Sequence, residues 1–334
     1  METPRWLIIT GRILFVLVAG TLMSGIVYEQ AARYIARSNF PPPGEFLEVD
    51  RQRFHYLKKG EGSQSVIFAS GNTLNHTEWT DIQAEIAKSA TTLSYDRAGL
   101  LYSDRGKRPQ TAAAISGELK KIIEKADLPK PYILVAHSLS ACSLRPLIKD
   151  LEKDIAGVIF VDGSHPEQYT KVPEQIADVL KNDAPSGEWE QFLNGFGFLR
   201  TMMRDHVHFG HLAVHHPRNE AYRANYFHSM PEIYEEMEAV DQILAETKNI
   251  TSFGSIPLTV ITGSSEKRIH EFSTPEKGRL AYDYWMALQK DLLSLSSNSQ
   301  QIMATKSSHM IHHEEPRVII KAIQEMLQLA SPQK

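Results

Sequence analysis

The pattern of apolar and polar positions divides the chain into stretches of different period. From residue 13 to 28 there is no charge, and back to Trp6 the only charged interruption is Arg12. Sixteen helical residues rise about 24 Å and twenty-three about 34 Å, against a hydrocarbon core of about 30 Å. The stretch therefore predicts one membrane-spanning helix, with Arg12 reaching out to the headgroups. A cleaved signal peptide is the competing reading, but Ser24-Gly25-Ile26 and Tyr28-Glu29-Gln30 fit a small-residue cleavage site poorly. The anchor is placed at 1–37, and 38–45, with Pro41, Pro42 and Pro43, reads as a stiff linker that cannot continue the helix.

Residues 46–49 and 53–58 then alternate around Asp50-Arg51, which predicts a hairpin. From Ser65 short apolar runs alternate with amphipathic segments. Strands are expected at 65–69, 91–95, 132–136 and 157–162, and helices at 79–88, 111–126 and 139–150. Two later strands, 256–263 and 299–305, precede a helix with Pro316 in its first turn. Such alternation implies an α/β chain with a doubly wound, mostly parallel sheet and helices on both faces, made of 46–164 and 251–330. Between them, 165–250 loses the alternation and takes helical spacing, as a cap inserted over the carboxyl ends of the strands would. Phe192, Phe196, Phe198, Leu199, Met202 and Met203 are candidates to line a pocket beneath it.

Composition narrows the possibilities. A chain of 334 residues, 42% hydrophobic and 23% charged, can bury a large core. Its net charge of −4, with both signs interspersed, offers no basic face for nucleic acid. Cys142 is the only cysteine, so no internal disulfide or thiolate metal cluster is expected. His206, His208, His211, His215 and His216 are dense, but the H-E-x-x-H spacing of a helical zinc site is absent, so no metal is assigned.

The chemistry centres on Ser138. The run 132–136 ends abruptly in Ala136-His137-Ser138-Leu139-Ser140, a serine framed by small residues and followed by a helical pattern, as at a nucleophile elbow. A serine hydroxyl needs a base and a means of stabilising the oxyanion. His309, just past the last predicted strand, is the candidate base, while His312 and His313 read as incidental surface residues. For the acid that orients the imidazole, Glu266 is preferred, three residues beyond Gly263. Asp162, at an earlier strand end, is the alternative. The oxyanion would be met by the N–H of Leu139 and that of Asn72, in the loop opened by Ser70-Gly71.

These stretches, with Trp79, Tyr95 to Gly99, Ser103-Asp104 and Val161 to Pro166, resemble in order and spacing the α/β-hydrolase-fold serine hydrolases of the bacterial esterase type over roughly residues 40–330. The chain departs at Ser70, where histidine is usual, at Ala136 and Ser140, where glycines are usual, and at Glu266, where aspartate is commoner. The resemblance implies that the turn at Asp96-Arg97 is structural, and that a small apolar carboxylic ester is cleaved through an acyl-enzyme without any cofactor. A dehalogenase would carry aspartate at position 138. The alternative reading keeps the scaffold as a ligand-binding protein with little or no turnover. A single-pass protein with the hydrolase part outside the cytoplasm is the expected arrangement, its oligomeric state left open.

Overall fold

The computed structural model describes residues 4–106, 109–180, 187–207, 212 and 216–330. Eight strands form one sheet: β1 (Glu45–Val49), β2 (Gln52–Lys59), β3 (Ser65–Ala69), β4 (Thr91–Tyr95), β5 (Tyr132–His137), β6 (Ile155–Val161), β7 (Leu258–Gly263) and β8 (Ser299–Ala304). Their order is β1-β2-β4-β3-β5-β6-β7-β8. The β1–β2 and β2–β4 pairs are antiparallel, and all other pairs are parallel. The hairpin turns on Asp50 and Arg51, both in the left-handed region, so that Val49 pairs with Gln52.

The continuous apolar runs have a direct cause in this arrangement: each central strand is covered on both faces. Ile67, Leu134 and Phe160 point to one hydrophobic cluster, shared with the helices Ala112–Lys125 and Arg145–Asp150. Val66, Phe68, Ile133, Val135 and Ile159 point to the other, shared with Thr80–Ile86 and Pro316–Leu329. Each of these fully buried side chains stabilises the fold by about 1.5–3 kcal/mol relative to exposure. Thr111 caps the helix Ala112–Lys125, its side chain accepting from the Ala114 N–H. The helix expected over 139–150 is instead two, Ser140–Ser143 and Arg145–Asp150, because Pro146 lacks the N–H that would continue the ladder.

The chain forms two compact units. One comprises Pro43–Ala184 and Glu235–Lys334 and contains the sheet; the other comprises Met1–Pro42 and Pro185–Tyr234. The segment expected to form one cap is thus shared between them. In the smaller unit the helix Arg5–Asn39 leaves its apolar side chains from Trp6 to Tyr28 largely exposed and is long and apolar enough to cross a membrane. Beyond Tyr28 its character changes. Glu29 is fully buried, accepting from Arg33 (2.8 Å) and from Arg200 (2.8 and 2.9 Å) on the helix Phe198–Met203. Of the histidine cluster, His208, His211 and His215 lie outside the described residues. His216 caps the helix Pro217–Tyr226, its Nδ1 accepting from the Arg218 N–H.

Candidate active site

β5 delivers Ser138 to the carboxyl edge of the sheet on a turn whose backbone is in the left-handed region, at φ 51°. For a residue with a side chain this costs roughly 1–3 kcal/mol and persists only where the surroundings impose it. The Ser138 N–H donates to the Val161 carbonyl (3.2 Å), and its own carbonyl accepts from Ala141 (3.0 Å) and Ser164 (2.9 Å). The two small flanking residues have separate uses. Ala136 lies between Ala69 and Phe160 in the sheet, with 1% of its surface exposed. Ser140 donates its hydroxyl to the Ser70 carbonyl (2.6 Å), tying the elbow to the loop after β3.

His309 follows β8 and places Nε2 3.0 Å from Ser138 Oγ, while its Nδ1 lies 2.6 Å from Asp162 Oδ2. A carboxylate can only accept, so Nδ1 carries the proton and Nε2 is left to accept from the serine hydroxyl. The acid beside the imidazole is therefore Asp162 and not Glu266. Glu266 opens a short helical turn, Glu266–Glu271, that carries its carboxylate outward to Arg279 (3.1 Å), with 74% of its side chain exposed. Such a pair contributes about 0–1 kcal/mol. Asp162 sits directly after β6 with φ 44° and no exposed surface. Its Oδ1 accepts from the Gly263 N–H and the Trp285 indole N–H, both 3.0 Å, and Arg268 donates to Oδ2 at 2.7 Å. Burial opposes its ionisation, but the Arg268 guanidinium and the His309 hydrogen bond outweigh it and hold the carboxyl at about 2.

The loop after β3 is held against the elbow. A Cβ on Gly71 would lie 2.6 Å from His137 Nδ1 and 3.0 Å from Ser138 Cβ, so only glycine fits. Arg97 donates to the carbonyls of Ser70 (2.7 Å), Gly71 (2.7 Å) and Leu74 (3.1 Å). Because the N–H of a trans peptide points opposite its C=O, turning the Gly71 carbonyl to Arg97 turns the Asn72 N–H away from it. Glu236, on the helix Met230–Thr247, accepts from Arg97 (2.6 and 2.9 Å) and from the Thr73 N–H (2.6 Å). Ser70 has a structural use: its hydroxyl donates to the Asn75 carbonyl and accepts from the Trp79 indole.

Three groups were not foreseen from the sequence. Arg268 and Trp285, stacked with the guanidinium 4.8 Å from the ring centroid, complete the environment of Asp162. His137 donates from Nε2 to the His309 carbonyl (3.2 Å), fixing the loop that carries His309. His312 and His313, expected at the surface, both donate to Glu78, at 2.9 and 2.6 Å, and His312 is buried. Glu78, His312 and His313, and likewise His55, His76 and Asp96, have ligand atoms close enough to hold an ion; neither group includes Ser138 or His309. In both, the carboxylate is already hydrogen-bonded to two imidazoles.

Burial pushes His137 well below its ordinary value and His312 down to about 4. For Glu78 burial works the other way, but hydrogen bonds from His312 and His313 hold it at about 2. The unfolded chain then binds more protons than the folded one, at the histidines from about pH 6.5 downward and at the carboxylates from about pH 4 to about pH 2. These groups accordingly lose stability as pH falls through both windows, and the two histidines together outweigh Glu118, which burial raises to about 7 and which works in the opposite sense between about pH 7 and pH 4. Thermal unfolding followed by circular dichroism should show a melting temperature declining steadily from pH 7 to pH 4; a flat profile over that range contradicts the assignment.

A cleft of about 420 Å³ opens onto Ser138 and His309, walled by Tyr169, Leu180, Phe272, Tyr284 and Trp285, with Gln168, Arg268 and Glu271 as polar members. These residues flank β6 and β7 and belong to the sheet-containing unit. Of the side chains expected to line the pocket, Phe192, Phe196, Phe198, Leu199, Met202 and Met203 belong to the smaller unit, where Phe192 stacks on Trp189 and packs edge-on to Phe196.

The same arrangement of strands is found in solved structures. A thermophilic esterase from Thermogutta terrifontis superposes with a TM-score of 0.57 at 18% identity, over 86% of this chain and 99% of its own. The Cif epoxide hydrolase from Acinetobacter nosocomialis gives a TM-score of 0.65 at 14% identity, over 90% and 96%. The chain has the α/β-hydrolase fold. In sequence it is 25% identical over 278 residues to the uncharacterized protein YqjL of Bacillus subtilis, covering 82% of this chain and 88% of that one. No protein-family model matches the chain.

Proposed function

We propose that the protein is a serine hydrolase that cleaves a small, apolar carboxylic ester. An esterase and an epoxide hydrolase share this fold, so the fold does not choose the chemistry. The observation that carries the reading is the chain of contacts from Ser138 Oγ to His309 Nε2 (3.0 Å) and from His309 Nδ1 to Asp162 Oδ2 (2.6 Å). His309 takes the hydroxyl proton as Ser138 attacks the ester carbonyl, and the buried, ionised Asp162 stabilises the imidazolium that forms. The N–H groups of Leu139 and Asn72 receive the oxyanion. The protonated His309 gives its proton to the leaving alcohol, and then activates the water that releases the acid from Ser138. The aromatic walls of the cleft favour an apolar acyl or alcohol group.

The full-length protein in detergent should hydrolyse p-nitrophenyl butyrate, and Ser138→Ala should reduce kcat by at least about a thousandfold. A folded Ser138→Ala protein with wild-type turnover would remove the proposal.

The N-terminal helix is read as a retained anchor. Glu29 and Ala36 are buried within the smaller unit, and Glu29 neutralises Arg200 there, so removal of the helix would strip that unit of a wall and of a buried ion-pair partner. The purified protein should accordingly keep residues 5–39 by intact mass.

A further inference from the structure

Within the smaller unit, a cavity of about 430 Å³ lies between the second half of the helix Arg5–Asn39 and residues of 200–204 and 220–227. Its wall on the N-terminal helix runs from Tyr28 to Asn39, with Phe40 just beyond the helix end, and is apolar but for Asn39, with Ala31, Ala32, Ile35 and Ala36 between. Twelve residues of helix measure about 18 Å, the reach of a long acyl chain. The opposite wall is cationic: Arg200, Arg204 and Arg223 line it, with Glu220 as the acidic member. Arg200 and Arg223 are each 6% exposed. Arg200 is held by the buried Glu29, which also pairs with Arg33, and among the described lining residues three guanidiniums stand beside one carboxylate, Glu220.

Tyr28 is the last residue of the uncharged run, where a spanning helix leaves the hydrocarbon, and aromatic side chains settle at that boundary. A groove that begins there, apolar along one side and arginine-lined along the other, matches a molecule that is itself half apolar and half anionic. The volume falls within the range of small-ligand pockets and leaves no room for a two-chained phospholipid. Arginine forks pair with planar carboxylates in a bidentate manner.

We infer that this cavity is a binding site for a single-chain fatty-acid anion taken from the adjoining bilayer, its chain along Ala32 and Ile35 and its carboxylate at Arg204 and Arg223. The site is distinct from the cleft at Ser138 and does not depend on hydrolysis there. It does rest on the reading of the N-terminal helix as a retained anchor.

The test uses full-length protein carrying Ser138→Ala, so that no turnover intervenes, in phosphatidylcholine nanodiscs. Intact mass first establishes that residues 5–39 are present, which separates failure of the anchor reading from failure of the site. A dansyl-labelled undecanoate should then bind saturably, one per chain, above the signal of empty nanodiscs, and be displaced by oleate but not by oleyl alcohol. Arg204→Glu, at an exposed residue, should weaken oleate at least tenfold, and Ala32→Trp, which fills the groove, should do the same without altering charge. Competition by oleyl alcohol as strong as by oleate, no saturable signal above empty discs, or undiminished affinity in Arg204→Glu would each overturn the inference.

Discussion

Asp162→Asn is expected to lower kcat for ester hydrolysis by about 10⁴, while Glu266→Gln leaves it within about twofold. An amide at 162 presents the same shape, but it removes the negative charge that offsets the imidazolium. It can also donate to His309 Nδ1 and impose the wrong tautomer, with the proton on Nε2, where it can no longer accept from Ser138. Two further consequences follow from the surroundings of Asp162. Arg268, 2.7 Å from Oδ2, would face a neutral amide in the interior, so some loss of stability accompanies the loss of rate. The Trp285 indole and the Gly263 N–H both point at Oδ1 and favour an oxygen there, which directs the amide NH₂ toward His309 and Arg268. Glu266 is instead paired with Arg279 at the surface. Steady-state kinetics on the two purified variants decides between them, and comparable losses in both would contradict the geometry.

Arg97→Met should be the most damaging substitution outside the three residues themselves. Arg97 and Glu236 are 5% and 2% exposed and bond each other at two positions. Removing one partner of a buried pair leaves an uncompensated charge, at a cost of about 3–5 kcal/mol. The same guanidinium holds the carbonyls of Ser70, Gly71 and Leu74, so its loss also frees the loop whose Asn72 N–H is proposed to receive the oxyanion. A misplaced oxyanion donor costs about 10²–10³ in kcat. Urea unfolding should therefore show a lowered midpoint, and the folded fraction should still hydrolyse ester more slowly than wild type. Wild-type kcat per folded molecule would show that the loop is fixed by other contacts.

The strands were readable because burial on both faces leaves a plain record: 65–69 and 91–95 match β3 and β4 to the residue. The elbow was readable for a related reason, since a small-residue frame around Ser138 is required by the strained turn at φ 51°. The acid was not. Asp162 and Glu266 both stand just beyond the ends of neighbouring parallel strands, β6 and β7, and spacing along the chain does not say which side chain turns inward. That is decided by the left-handed backbone of Asp162 and by Arg268 and Trp285, which come from segments more than a hundred residues away. Long-range partners also explain the misreading of His312 and His313: Glu78, to which both donate, is more than two hundred positions upstream. Arg97 was placed in a structural turn, which it occupies; its hold on the loop after β3 depends on Glu236 from the inserted segment.

The replacements at the elbow acquire a use once the packing is known. Ser140 is bonded to Ser70, whose carbonyl Arg97 also holds, so the hydroxyl links the elbow directly to the loop that faces it. A glycine there would keep the turn and lose the link.

The most direct measurement is reaction of the full-length protein with a fluorophosphonate followed by peptide mass spectrometry. The expected result is a single phosphonylated residue, Ser138, with labelling abolished in Ser138→Ala and strongly slowed in Asp162→Asn. Folded protein that leaves Ser138 unlabelled, or carries the label elsewhere, would contradict it.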